Sequence, residues 1–303
     1  MQLQIIHETR YDYQPAVETA QHIAYLKPCQ HASQQLIKHQ LQIHPAPAQL
    51  REMCDVYGNS RYFFALQTLH NQLTVRAESV VTTKVSRKPS SNLPWEQQAE
   101  FFKYKAGSQF DSAAEFVFES QFVPRHQEFT AYAKPSFIPG ANVLDVATDL
   151  MGRIHTDFTY DSNSTHINTP ALQALQQRRG VCQDFAHIML ACLRNRGLAA
   201  RYVSGYMLTE PAPGTVKLIG SDASHAWVSV YANDLPDGAR WCDFDPTNNR
   251  WGWHAPGEDY ITVATGRDFA DVSPLRGVIH GGANHTLTVG VTVQKVDNPS
   301  IYR

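Results

Sequence analysis

The stretch RRGVCQDFAH, residues Arg178–His187, carries a cysteine from a glycine-containing turn into an apolar segment. The apolar residues Phe185, Met189 and Leu193 recur at helical spacing, so the pattern predicts a helix over Val181–Arg196, with Cys192 in the same buried stripe. Cys182 then lies in the first helical turn. Unpaired N–H groups and the helix dipole stabilise an anion there, which favours the thiolate, the nucleophilic form of cysteine.

Two later segments carry the partners that a reactive thiol needs. His225 comes just before a predicted strand, Ala226–Tyr231, and Asp245 follows the next one, Arg240–Phe244. Antiparallel pairing across the intervening turn would bring the two side chains within reach, and both lie ten residues from Leu235, which predicts a direct cross-strand pair.

Asp243 is the alternative carboxylate for this histidine. It lies two residues before Asp245 and therefore on the same face of the strand. We favour Asp245 because it belongs to the turn Asp245-Pro246-Thr247, which ends the strand.

Further residues are candidates for lining such a site. A developing oxyanion would be bound by the backbone N–H of Cys182 and by a second donor. Tyr160, Gln176 and Gln177 are unranked candidates for that donor. Asp184 could line the site or, as we favour, complement the helix dipole, and His187 is expected to be a hydrogen-bonded, semi-buried residue. Trp227 is expected to pack beside the histidine rather than contact substrate, whereas Trp251 and Trp253 could either wall a cleft or cover a core edge.

The composition excludes several classes of protein. The chain has 303 residues, with 26 Lys and Arg against 28 Asp and Glu, and it has no long basic run, so nucleic acid is not an expected partner. We find no leader pattern and no long apolar segment, which favours a cytoplasmic protein without a membrane partner. Five dispersed cysteines without a C-x-x-C pair argue against a disulfide framework or a zinc site.

The periodicity of apolar residues predicts two domains. Residues 1–86 contain short alternating runs that are typical of a small antiparallel β domain. The polar, proline-containing segment 87–95 is the expected linker. Residues 96–303 place helices first and strands afterwards, an α+β order that includes a final strand, His285–Val296.

These motifs resemble the transglutaminase-like cysteine enzymes of the papain-like class. The resemblance is carried by Gly180-x-Cys182 at the helix start, Ala199–Tyr206 and Ser224–Val228 as strands, Asp245-Pro246-Thr247 as the acidic turn, and Gly266–Val272. It is most specific for the bacterial branch, whose N-terminal β region resembles residues 1–86. The resemblance implies a helix carrying Cys182 packed on an antiparallel sheet, with Cys182 as nucleophile, His225 as general base and acid, and Asp245 as the residue that orients it.

One departure from the animal transglutaminases concerns Gln183, which follows the cysteine where those enzymes have tryptophan. Their calcium sites and additional C-terminal β domains are not identifiable, so neither calcium nor any other metal or cofactor is implied.

The expected reaction is acyl transfer at an amide bond of a peptide or protein through a thioester intermediate. The thioester would be resolved by water, as in a peptidase or amidase, or by an amine, as in a transglutaminase. Hydrolysis is favoured because no feature of the sequence accounts for the exclusion of water that a transferase requires. The alternatives are a non-catalytic protein-binding module on the same fold and, more remotely, an arylamine acetyltransferase-like enzyme.

Overall fold

The computed structural model describes residues 1–85, 88–103, 105–107, 109–209, 224–282 and 284–296. Its strands are β1 (Gln2–Ala24), β2 (Gln34–His44), β3 (Gln49–Cys54), β4 (Ser60–Leu66), β5 (His70–Thr83), β6 (Thr159–Tyr160), β7 (Arg179–Gly180), β8 (Ala200–Met207), β9 (Ser224–Tyr231), β10 (Trp241–Asp245), β11 (Arg250–Trp253), β12 (Tyr260–Gly266), β13 (Leu275–Gly281) and β14 (Asn284–Lys295). Its α-helices are α1 (Trp95–Phe101), α2 (Gln127–Ala133), α3 (Val143–Asp157), α4 (Ala171–Gln177), α5 (Cys182–Asn195) and α6 (Phe269–Val272). Within these ranges no helix has both the length and the apolar character needed to cross a bilayer.

The N-terminal domain is built on β1, whose alternating residues Leu3 and Ile5 are buried. The strand order is β2-β5-β1-β4-β3, and every pairing is antiparallel. Aliphatic and aromatic side chains on one face of this sheet form a separate core cluster that includes Val17, Phe64 and Leu73. This arrangement agrees with the small antiparallel β domain predicted for residues 1–86.

The end of the chain returns to this sheet. β13 pairs with the second half of β1, and β14 pairs with its first half, from Leu3 opposite Lys295 to Gln14 opposite Asn284. The structure therefore corrects the placement of the strand His285–Val296 in the second domain. Alternation specifies that a segment is a strand, but it does not specify which sheet the strand joins.

The second domain has the α+β architecture expected from the sequence. Its sheet has the order β11-β10-β9-β8-β12. Ala226, Val228 and Val230 of β9 belong to the main core together with residues of α5, whereas Trp227 belongs to a different cluster. Alternation along β9 thus packs one face of the sheet against the helix that begins at Cys182.

Two helical segments before α5 are short. Residues 112–117 form a 3-10 helix. The helix α4 spans Ala171–Gln177, with Pro170 as its N-cap. It ends because Arg178 adopts a left-handed conformation with φ of 55°, and Arg179–Gly180 then pairs with β6.

Polar side chains of the N-terminal domain hydrogen-bond to the edge strand of the second sheet. The Gln34 amide donates to the carbonyl of Thr262 and accepts from its N–H, both at 2.8 Å. Asn59 forms the same pair of bonds with Thr265 at 2.8 Å. The two domains therefore meet along β12. Of the predicted linker 87–95, residue 87 lies outside the described residues, and the segment that follows leads directly into α1.

Candidate active site

Cys182 is the first residue of α5 and is partly exposed. The helix start is fixed by Asp184, whose carboxylate accepts from the N–H of Val181 at 2.8 Å and from Thr165 Oγ1 at 2.7 Å. A Cβ on Gly180 would lie 2.6 Å from the Asp184 carboxylate, which explains the glycine at that position. Asp184 is therefore a buried capping residue, and burial raises the pKa of its carboxyl.

His225 lies on β9, and its side chain is 10% exposed. Its Nε2 donates to Asp245 Oδ2 at 2.7 Å, and the thiol of Cys182 interacts electrostatically with the ring. With Nε2 occupied by Asp245, Nδ1 is the nitrogen that remains for the sulfur. The structure thus groups Cys182, His225 and Asp245 at one site.

The contact between His225 and Asp245 is diagonal, not directly cross-strand as predicted. Trp241 pairs with Tyr231 and Phe244 with Val228. The β9–β10 pairs are therefore symmetric about the residue after Leu235, not about Leu235 itself. Asp245 consequently lies opposite Trp227 and not opposite His225. A long imidazole side chain spans this offset easily.

The electrostatics of the site favour an ionised His225. Burial alone lowers the pKa of His225, but hydrogen bonds to Asp245 and Cys182, together with their charges, raise it to about 10. Burial alone raises the pKa of the Asp245 carboxyl, but the hydrogen bond and charge of His225 hold it below its ordinary value. Both directions describe a charged pair of His225 imidazolium and Asp245 carboxylate.

Asp245 is fully buried and is held by further donors. The hydroxyl of Tyr260 and Nδ2 of Asn248 each donate to its Oδ2 at 2.7 Å. The N–H of Thr247 donates to its Oδ1 at 2.8 Å. Neither Tyr260 nor Asn248 was among the site residues predicted from the sequence. The Asp-Pro-Thr-Asn turn could have suggested Asn248, whereas no local signal points to Tyr260 on β12.

Asp243 points to a different partner. Its buried carboxylate accepts from Trp227 Nε1 at 2.9 Å. The Trp227 ring lies 6.1 Å from that of His225 and 5.5 Å from that of Tyr260, centroid to centroid, and it is completely buried. Trp227 therefore packs beside His225 and Tyr260, and Asp245 rather than Asp243 contacts the histidine.

The three candidates for the second oxyanion donor lie in different places. Tyr160 is 56% exposed, and burial of its remaining surface, with the charges of Cys182 and Asp184, raises the pKa of its hydroxyl. Tyr160 pairs with Gly180 across β6 and β7, two residues before Cys182. Gln176 donates to Glu128 on α2, and Gln177 is exposed at the end of α4.

The remaining candidates are structural. His187 is fully buried rather than semi-buried, and its Nε2 accepts from the N–H of Phe269 at 3.3 Å. Trp251 stacks on Phe244 with ring centroids 5.2 Å apart, and Trp253 donates to the carbonyl of Ala239. Both tryptophans therefore cover the sheet at β11.

In chemical terms, this arrangement provides an accessible thiol, a proton carrier and a buried carboxylate that orients the carrier. In the part of the chain that the structure describes, no three His, Cys, Asp or Glu residues are grouped as metal ligands.

Known proteins are similar over nearly the whole chain. Residues 3–82 match the family model of the bacterial transglutaminase-like N-terminal region, and residues 131–246 match that of the transglutaminase-like superfamily. An uncharacterized protein of Mycobacterium tuberculosis is 38% identical over 98% of this chain and 94% of its own length. A second relative, from Mycobacterium leprae, is 30% identical over 97% of this chain and 99% of its own.

One solved structure has the same fold over most of both chains. It is the crystal structure of a proposed cysteine protease from Cytophaga hutchinsonii, with a TM-score of 0.71 and 21% identity over 98% of this chain and 91% of that one. Together with the two family matches and the geometry around Cys182, these similarities show that the chain belongs to the transglutaminase-like superfamily and carries its bacterial N-terminal region.

Proposed function

We propose that this protein is a cysteine-dependent acyl-transfer enzyme acting on amide bonds of peptides or proteins. The observation that carries the proposal is the grouping of three side chains, in which the partly exposed Cys182 interacts with His225, and His225 is hydrogen-bonded to the buried Asp245. An inert core cysteine has no need of such partners, whereas a nucleophile needs both a proton carrier and a group that orients the carrier.

The proposed reaction has two steps. The thiolate of Cys182 attacks the amide carbonyl carbon, and the C–N bond breaks as the imidazolium of His225 transfers its proton to the leaving amine. The neutral imidazole then takes a proton from water as the water attacks the thioester. The carboxylic acid leaves, and the thiolate–imidazolium pair is restored. Asp245 holds the ring in one orientation through both proton transfers.

The oxyanion formed in each step would be stabilised by the start of α5. The backbone N–H of Cys182 is the first proposed donor, as in other sites built on helix N-termini. We propose the hydroxyl of Tyr160 as the second, because Tyr160 pairs with Gly180, two residues before Cys182, and Gln176 is bonded elsewhere. Removing such a donor costs about 10²–10³ in turnover.

Hydrolysis is the proposed outcome for the thioester. Cys182 is partly exposed and Tyr160 is more than half exposed, so among the described residues water has access to the acyl group. Transfer to an amine is the second outcome. Incubation with glutamine-containing peptides and a labelled amine distinguishes them: new free carboxylates support hydrolysis, and incorporated label supports the transferase.

Alkylation rates test the nucleophile directly. Cys54 is exposed on β3, far from the triad, and serves as an internal reference within the same chain. We expect iodoacetamide at neutral pH to label Cys182 faster than Cys54, with the sites identified by mass spectrometry. We also expect Cys182→Ala to abolish amide turnover while Cys54→Ala retains it. If Cys182 reacts no faster than Cys54, and if no amide turnover depends on Cys182, the protein is a non-catalytic binding module and the proposal is wrong.

A further inference from the structure

We infer that the cleft between the N-terminal sheet and the start of α5 binds one uncharged apolar side chain of the substrate, next to the amide that reacts. This inference rests on the proposed function and specifies the substrate class. It also gives the N-terminal domain a role as one wall of the active-site cleft rather than as a separate recruiting module.

The cleft is lined by residues that are adjacent in sequence to two members of the triad. Its walls include Gln183, which follows Cys182, and Ser224, which precedes His225. Gln183 is held in place by donating from Nε2 to the carbonyl of Ile167 at 3.0 Å, and Ile167 lines the same cleft. A peptide whose carbonyl lies at Cys182 therefore passes beside this cavity.

The opposite wall comes from the N-terminal sheet. Leu287 and Val289 of β14 line the cleft and pair with Tyr11 and Thr9 of β1. Leu287 is 50% exposed and Val289 is 48% exposed. Exposed apolar side chains that converge on one concavity are typical of a binding surface, whereas single scattered ones need no explanation.

The size of the cleft suits a single side chain. Its volume is about 230 Å³, whereas pockets for whole small-molecule ligands usually occupy about 300–1,000 Å³. The occupant that fits is a side chain such as leucine, methionine or phenylalanine.

The charge of the lining selects against ionised side chains. Among the described residues that line the cleft there is no aspartate, glutamate, lysine or arginine. Its one histidine, His7, is buried and bonded through Nδ1 to Tyr206 at 2.8 Å and through Nε2 to Thr9 at 3.1 Å. Burial lowers the pKa of His7 to about 4, so this ring is neutral at pH 7. A charged substrate side chain would be desolvated there without compensation.

The test uses a peptide library derived from a proteome, treated with the full-length protein in the presence of a labelled amine. Products are sequenced whether they carry a new terminus or the label, so the readout serves both hydrolysis and transfer. We expect leucine, methionine or phenylalanine to be enriched at one position within about two residues of the reacting amide. Synthetic peptides with leucine there should exceed their alanine counterparts by about tenfold or more in kcat/KM.

A negative charge introduced into the cleft tests whether the cleft determines the preference for an apolar side chain. Leu287→Asp should lower kcat/KM for the leucine peptide and favour a lysine peptide, because a carboxylate then faces the occupant. Val278→Asp is the matched control, since Val278 is 79% exposed on the neighbouring β13 and outside the cleft. It should leave the preference unchanged.

Two failures are distinguishable. If products form only when Cys182 is present but show no apolar enrichment, or if Leu287→Asp does not alter the preference, the inference is overturned and the proposed function stands. If no product depends on Cys182, the proposed function itself fails.

Discussion

The two aspartates of β10 lie on the same face of one strand and are both buried, yet they have different partners. Asp243 accepts from the neutral indole of Trp227. Burial raises the pKa of Asp243 above its ordinary value despite that bond. Asp245 accepts from His225, and its pKa falls below the ordinary value. Similar burial therefore has opposite results, because Asp245 is hydrogen-bonded to the charged ring of His225, whereas the charge of Arg201 only partly offsets the burial of Asp243.

Two aspartates that are only two residues apart therefore have different roles, one structural and one proposed to be catalytic. Asp243 anchors Trp227 between the strands, while Asp245 orients and charges the histidine. The consequence is that substitutions at the two positions should damage different properties of the protein.

The largest expected effect is that of Asp245→Asn on catalysis. An amide can still hydrogen-bond the His225 ring but cannot stabilise the imidazolium, and the equivalent change in serine triads lowers kcat by about 10⁴-fold. We expect a loss of this order in amide turnover, measured as kcat/KM on the preferred peptide. Asp243→Asn is the matched control. It keeps an acceptor for Trp227, so activity should stay within about tenfold while thermal stability falls. Equal losses in both variants would remove the distinction.

The second effect concerns pH. Because the pKa of His225 is raised to about 10, its imidazolium persists through neutrality, and kcat/KM should fall only as the pH rises through about 10. The stabilisation of the fold by this ion pair is complete below the ordinary histidine pKa of 6.5. It is lost as the pH rises from there through the raised pKa of about 10. Ring NMR signals, assigned with His225→Gln, should titrate near 10 in the native chain and at lower pH in Asp245→Asn. Titration of the native ring near 6.5 would contradict the ion pair.

The third effect concerns Tyr260, whose hydroxyl donates to Asp245 at 2.7 Å. Hydrogen bonds to charged groups contribute about 1.5–3 kcal/mol, so Tyr260→Phe should lower the free energy of unfolding by that amount and kcat/KM by about tenfold. Tyr132→Phe provides the control, since the Tyr132 hydroxyl donates to Asp157 at 2.9 Å, away from the triad. Urea denaturation should show a loss in both variants, but only Tyr260→Phe should reduce activity. Full activity in Tyr260→Phe would show that the hydrogen bond from Tyr260 on β12 to Asp245 does not contribute to catalysis.

Local patterns predicted the parts of the site that depend on neighbouring residues. The helix start at Cys182, the β9–β10 pair and the choice of Asp245 over Asp243 follow from turn chemistry and alternation. The contact of Tyr260 with Asp245 could not be predicted, because β12 joins the sheet next to β8 and its register depends on tertiary pairing. The same reason explains the misplaced C-terminal strand, whose alternation fits either sheet.

The smallest effect is expected at Gly205, which pairs with His225 across β8 and β9. A Cβ there would lie 2.1 Å from the carbonyl of Ile261 and 2.6 Å from the Trp227 ring. Gly205→Ala should therefore displace Trp227 and lower the free energy of unfolding by about 1–3 kcal/mol, the usual cost of overpacking. Trp227 holds Asp243 rather than Asp245, so we expect kcat/KM to fall only a few-fold.

Gly152→Ala in α3 is the control for adding a methyl group, because the nearest atom to a Cβ there, Asn249 Oδ1, would be at an ordinary contact distance of 3.6 Å. Alanine is favoured over glycine inside a helix by about 0.5–1 kcal/mol, so this variant should unfold at equal or higher denaturant concentration. If Gly205→Ala reduces turnover as severely as Asp245→Asn, the packing around Trp227 and the orientation of His225 are one unit. The two carboxylates of β10 would then share a single role, because displacing the partner of one would disable the other.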